Sequence, residues 1–214
     1  MLYDKLFLPL LAAFTALPLA LAQNGNFTIY GYGTGVLGLP LFYSEGSAQL
    51  GNVSAVSGHN VSNVYCKFRY LTVSIWNDKE LNVSETTEVS IEGGALLAYP
   101  NATSTQAVKH DANYTWSSLQ LKIPVNGGSD NNVTFVQDVD SSGAPGEWTL
   151  YGPYVFLYDS SKQLVSHFFA EPTNDKGVFN LLWNLSEEQQ AQNPDAVPVS
   201  LRTIAPVDAN EASA

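Results

Sequence analysis

The sequence predicts an all-β chain, a two-layer β-sandwich or jelly-roll-like unit with at most one short helix near 185–192. Three observations predict it. No long stretch repeats its apolar residues with a helical period. Short β-branched and aromatic runs alternate instead with clusters of Gly, Asn, Asp, Ser and Pro, the pattern of strands and turns. Hydrophobic residues make up 45% of the chain and charged residues 14%, which gives a packed core rather than a disordered polymer.

Strands are expected in order at roughly 27–32, 39–43, 48–51, 64–76, 86–91, 94–99, 114–123, 132–138, 147–158, 163–170, 177–183 and 197–204. The span 64–76 is the longest. In it Val64, Cys66, Phe68 and Tyr70 share one face, and Tyr65, Lys67, Arg69 and Leu71 share the other. The run Tyr154 to Tyr158, the turn Asp159-Ser160-Ser161-Lys162 and the run Gln163 to Phe169 read as a hairpin. Asn174-Asp175-Lys176-Gly177 then turns the chain into Val178 to Trp183, extending the hairpin to a meander. Ser186 to Gln192 has helical propensity and an acidic first turn, and Pro194 ends it. Phe42 to Leu50 echoes Leu157 to Leu164, which reads as two hairpins converging on similar turn chemistry.

Residues 1–22 read as a secretory signal peptide: Lys5, an apolar run from Leu6 to Leu21, and the small-x-small pattern Ala20-Leu21-Ala22 before Gln23. The run is shorter than the ~20 residues of a membrane-spanning helix and contains Pro9 and Pro18, so no membrane association is expected after cleavage. Residues 23–206 are then expected as one β domain and 207–214 as a flexible tail. Asn-x-Ser/Thr sequons occur at Asn26, Asn52, Asn60, Asn82, Asn101, Asn113, Asn132 and Asn184. Composition alone would supply about three, so the excess points to export through a glycosylating pathway. The single cysteine, Cys66, cannot form an intrachain disulfide and is expected as a small apolar residue buried on its strand.

A net charge of −11 argues against nucleic acid as a partner, because that binding is driven by cationic side chains. Asp138, Asp140 and Ser142, with Gly143, match the first half of an oxygen-ligand calcium loop, but Thr149 stands where the loop would need Glu; a polar turn ending a strand is favoured. Gly31-Tyr32-Gly33-Thr34-Gly35 resembles a phosphate cradle only in composition, since no helix follows, and the glycines are expected to serve a bend or bulge. His59, His110 and His167 lack metal-ligand spacing, and no cofactor is called for. Glycan hydrolysis would need two facing carboxyls. Glu45, Asp111, Asp138, Glu147, Glu171 and Asp175 are available, with Glu171 the best candidate because it follows the apolar Phe168-Phe169-Ala170. An edge-of-strand charge in solvent is the simpler account of it. Trp76, Trp116, Trp148 and Trp183 would suit either sugar stacking or core packing.

Tyr30 to Gly35 running into Gly38 to Tyr43 forms one distinctive stretch. Phe168 to Glu171, Gly177 to Asn184 and Pro198 to Pro206 form another. Together they resemble a family of uncharacterised small secreted proteins of filamentous ascomycete fungi. The resemblance implies a fungal, secreted origin and carries no activity and no catalytic residues. The favoured expectation is an N-glycosylated extracellular or cell-wall protein without catalytic activity that binds polysaccharide through exposed aromatics. A glycan-active hydrolase using a carboxylate pair with Glu171 is the second reading, and a secreted host-interaction effector the third.

Overall fold

A computed structural model of the chain describes residues 25–56, 60–69, 94–101, 116–124, 130–137 and 147–207. The expected signal peptide, the strand at 86–91, Asn82, Asn113, Trp76, His59, His110, Asp111, Asp138, Asp140, Ser142 and the tail after Val207 lie outside the described residues.

The described chain is all-β with one short helix. Its strands are β1 (Tyr30–Gly33), β2 (Val36–Ser44), β3 (Ser47–Leu50), β4 (Val61–Arg69), β5 (Ala95–Pro100), β6 (Leu119–Lys122) and β7 (Thr134–Gln137). They continue as β8 (Glu147–Tyr151), β9 (Tyr154–Tyr158), β10 (Leu164–Val165), β11 (Phe168–Pro172), β12 (Phe179–Trp183) and β13 (Val197–Arg202), with α1 (Glu187–Gln192) before the last strand. A one-turn 3-10 helix spans Val53–Ala55. The helix starts where Ser186 and Gln189 form a reciprocal capping box, which satisfies two backbone donors that the first turn leaves free.

The layering differs from the expected sandwich or jelly-roll. Pairing runs β1-β2-β4-β5-β6-β7-β3-β12-β11-β13 and returns to β1, so ten strands close into a barrel instead of splitting into two sheets. The closing seam joins the two ends of the described chain, Tyr30 to Arg202 and Gly33 to Val199, antiparallel. Closure satisfies the backbone groups that sandwich edges would leave unpaired. β2 and β3 also pair with each other across the barrel, as a hairpin whose two-residue turn, Glu45-Gly46, has positive φ at both positions. That turn type matches strand twist and brings the strands back in tight register.

Glycines make the seam. In β1 the register with β2 slips between Gly31 and Tyr32, a bulge that bends the strand toward β13. A Cβ on Gly33 would stand 2.5 Å from the Pro198 carbonyl oxygen and 2.8 Å from Val199 Cγ1, so only hydrogen fits between β1 and β13. The glycine-rich segment is therefore a bend and bulge, as its sequence suggested.

Strand alternation fills the interior. Val64 and Cys66 on β4, Val155 and Leu157 on β9, and Phe168 and Ala170 on β11 are buried, while their neighbours turn outward. Trp148 lies at the centre, 1% exposed, with its Nε1 donating to the Leu121 carbonyl at 3.2 Å; Phe168 stacks on it at 6.0 Å and meets Trp183 edge-on at 4.8 Å. Cys66 is fully buried, and burial pushes its thiol pKa up to about 12.

Two expected elements are subdivided. The single strand expected at 147–158 is a hairpin, because Gly152, at φ 58, and Pro153 form a turn that pairs Tyr151 with Tyr154. The expected hairpin after Tyr158 forms around Asp159, whose Oδ1 accepts from the backbone N–H groups of Ser161 and Gln163, but it pairs for only two residues. Beyond Val165 the chain leaves β9, and β11 pairs with β12 and β13 instead.

Candidate functional site

The fork between β9 and β11 makes the site. β13 pairs along one edge with β1. Along its other edge it pairs first with β11, through Val197, Pro198 and Val199, and then with β9 at Arg202 alone. Ser200 and Leu201 fall where those two strands part. An open cleft of about 720 Å3 occupies this gap, and α1 and the end of β12 form its far side.

Its floor is core. Phe168, Val199 and Leu185 line it and are buried. Its walls are the outward residues of two strands. Tyr154 and Phe156 lie two apart on β9, opposite in facing to buried Val155 and Leu157, with ring centroids 6.3 Å apart. Phe169 faces outward on β11 between buried Phe168 and Ala170. His167 is exposed and stacks on the Trp183 ring at 5.7 Å and 25°. Besides the His167 imidazole, the polar lining is Ser166, Asn184, Gln190 and Ser200, hydroxyls and amides. Gln190 is aimed by a hydrogen bond from its Nε2 to the Leu185 carbonyl at 2.8 Å.

A cation frames the rim. Arg202 stacks its guanidinium on both Tyr154 and Tyr32, 4.7 Å from each ring, which fixes the Tyr154 ring beside the cleft. The Tyr32 hydroxyl donates to the Ile204 carbonyl, holding that second ring in place.

The sequence candidates are dispersed. Glu171 is half-buried on β11, paired in register with Asn180 of β12, and does not line the cleft. Asn180 Oδ1 accepts from Gln49 Nε2 at 2.8 Å. Glu147 is ion-paired with Lys162 at 2.8 Å, both partners solvent-accessible; Glu45 sits in the β2–β3 turn and Asp175 in the β11–β12 turn. Among the described residues no carboxylate lines the cleft, and no group of three His, Cys, Asp or Glu side chains is arranged to hold a metal ion. Among the described tryptophans, Trp116, Trp148 and Trp183 are all buried, so none offers an open stacking platform. The aromatic surface at the cleft comes from Tyr154 and the half-buried Phe156 and Phe169, each alternating with buried neighbours on its strand.

The sequons divide by environment. Asn26, Asn52, Asn60 and Asn184 are exposed, and Asn184 lines the cleft. Asn60 Nδ2 donates to the Tyr43 hydroxyl at 3.2 Å, and Asn132 Nδ2 to Asp130 Oδ1 at 2.7 Å. Burial pushes the Tyr43 phenol above its usual pKa, partly offset by hydrogen bonds from Gly46 and Asn60. Asn101 is half-buried. Among the described residues no helix is long and apolar enough to cross a membrane. No family model matches the chain, and no curated protein or solved structure is detectably similar to it.

Proposed function

We propose that the chain is an exported, N-glycosylated extracellular or cell-wall protein whose cleft binds a neutral polysaccharide. One observation carries the binding reading. The cleft between β9 and β11 presents aromatic walls, the His167 ring, and the amides and hydroxyls of Gln190, Ser166 and Ser200, with no carboxylate among the described residues of its lining. A pyranose ring is apolar on its C–H faces and hydroxylated around its rim, so it matches rings such as Phe156 and Phe169 flanked by Gln190, Ser166 and Ser200. Among the described residues the lining holds no Lys or Arg to pair with an acidic sugar, and Arg202 at the rim is already stacked on Tyr32 and Tyr154. Export is supported by residues 1–22 and the eight sequons, and the fungal origin by the family resemblance.

The test is retention of the secreted protein on suspended chitin, β-glucan, cellulose and mannan. Retention on at least one polymer is expected, and Phe156→Ala should weaken it about tenfold, equivalent to ~1.4 kcal/mol. Failure of the protein, with and without its N-glycans, to bind any of these polymers would refute the reading.

A further inference from the structure

We propose that an N-linked glycan on Asn184 lies over this cleft and covers its aromatic wall, so that the protein shields the site with a sugar of its own. The shield follows from the placement of Asn184; its effect on an external polysaccharide rests on the binding function proposed above.

Asn184 is singled out by three features. It is the sequon asparagine that lines the cleft among the described residues, and it is exposed. Its backbone is held: the N–H donates to the His167 carbonyl at 2.8 Å, and Asn131 Nδ2 donates to the Trp183 carbonyl at 2.9 Å. Its neighbours Trp183 and Leu185 are both buried, 5% and 6% exposed, so the residue is pinned on each side. Its φ of 52 is the left-handed conformation that asparagine tolerates better than most residues, and the chain turns there from β12 toward α1. A glycan rooted at this point starts from a fixed backbone beside the His167 ring.

The cleft supplies what such a glycan needs. Phe156 and Phe169 are half-buried and turn their remaining open ring surface into the cleft, where a covering sugar can pack on it. The first sugars from Asn184 present C–H faces to those rings and hydroxyls to Gln190 and Ser200. By contrast, the Asn60 and Asn132 amides are already committed to Tyr43 and Asp130.

The experiment uses the full secreted chain from a glycosylating host. Peptide mass spectrometry first reads occupancy of Asn184, which is expected to be glycosylated; an unmodified residue overturns the proposal. Carbethoxylation of His167 is then followed by mass spectrometry, with the other two histidines as internal reference. The reaction should be several-fold slower in the glycoprotein than in Asn184→Gln. Equal reactivity overturns the shield. Asn184→Asp, whose side chain suits the left-handed backbone, provides the same comparison where Gln disturbs the turn. Retention on polysaccharide is measured on the same proteins, and the unglycosylated variants should bind several-fold more tightly. A shielded His167 in proteins that retain no polymer supports the shield and refutes polysaccharide binding; equal retention by shielded and unshielded forms refutes the covering of the cleft.

Discussion

Replacing Cys66 by alanine should flatten the alkaline limb of the stability curve. The thiol lies on β4 with no exposure, and burial raises its pKa from 9.0 to about 12. Below pH 9 the thiol is protonated in both folded and unfolded chains and contributes no pH dependence. Between pH 9 and about 12 the unfolded chain releases the proton and the folded chain keeps it. The unfolded state therefore binds fewer protons, and stability falls as pH rises. Each unit of that gap is worth about 1.4 kcal/mol, so wild-type protein should lose about 3 kcal/mol from this group by pH 11. Cys66→Ala removes the titration and leaves a cavity cost of about 1 kcal/mol that does not vary with pH. The assay is urea unfolding of both proteins at pH 8, 9.5, 10.5 and 11. Tyrosines and lysines titrate in the same range in both proteins, so the difference between the two curves isolates Cys66. Parallel curves would refute the burial, as would reaction of the native thiol with a disulfide reagent at the rate of an exposed thiol.

Two further changes probe the seam and the rim. Gly33→Ala forces a methyl group against the Pro198 carbonyl oxygen where β1 closes on β13; a loss of about 1–3 kcal/mol is expected in urea unfolding, and an unchanged midpoint would place the seam elsewhere. Arg202→Ala removes a guanidinium stacked on two rings, each contact worth about 0.5–1 kcal/mol, and frees the Tyr154 ring. Stability should fall by roughly the sum, and polysaccharide retention should fall with it; a variant equal to wild type in both measurements would remove Arg202 from the site.

Local features of the fold were legible in the sequence and its closure was not. The alternation from Val64 to Arg69 gave β4 and its buried face, and Ser186 with the acidic first turn gave α1 within two residues. Those signals are local: a strand declares its faces every second residue, and a helix start declares its cap. The hairpin inside 147–158 was written in Gly152-Pro153, a turn dipeptide outweighed by the β-branched and aromatic residues on both sides. The barrel rests on pairings such as Tyr30 with Arg202, which leave no trace in either segment alone. The cleft was half legible. Tyr154, Phe156 and Phe169 alternate with buried neighbours, so their outward facing could be read from the chain, but their convergence depends on the fork at β13. The tryptophans left stacking and core packing equally open, because size and aromaticity do not separate a core residue from a surface platform.

The seam between β1 and β13 also sets an order of events. β1 comes first among the strands and β13 last, so the barrel closes only once the chain has been synthesised through β13. Until then β1 has one of its two partners, and long-range pairing of this kind is slow to form. Pairing between strands nearer in sequence sets an earlier limit for chemistry that needs an open chain. In the Asn60 sequon the hydroxyl residue, Ser62, ends up with no exposure, its Oγ donating to the Asn63 carbonyl. An enzyme that must grip that hydroxyl can do so only before folding buries it. Ser62 pairs in register with Tyr43 of β2, so that opportunity narrows once β2 and β4 meet, before the seam can close.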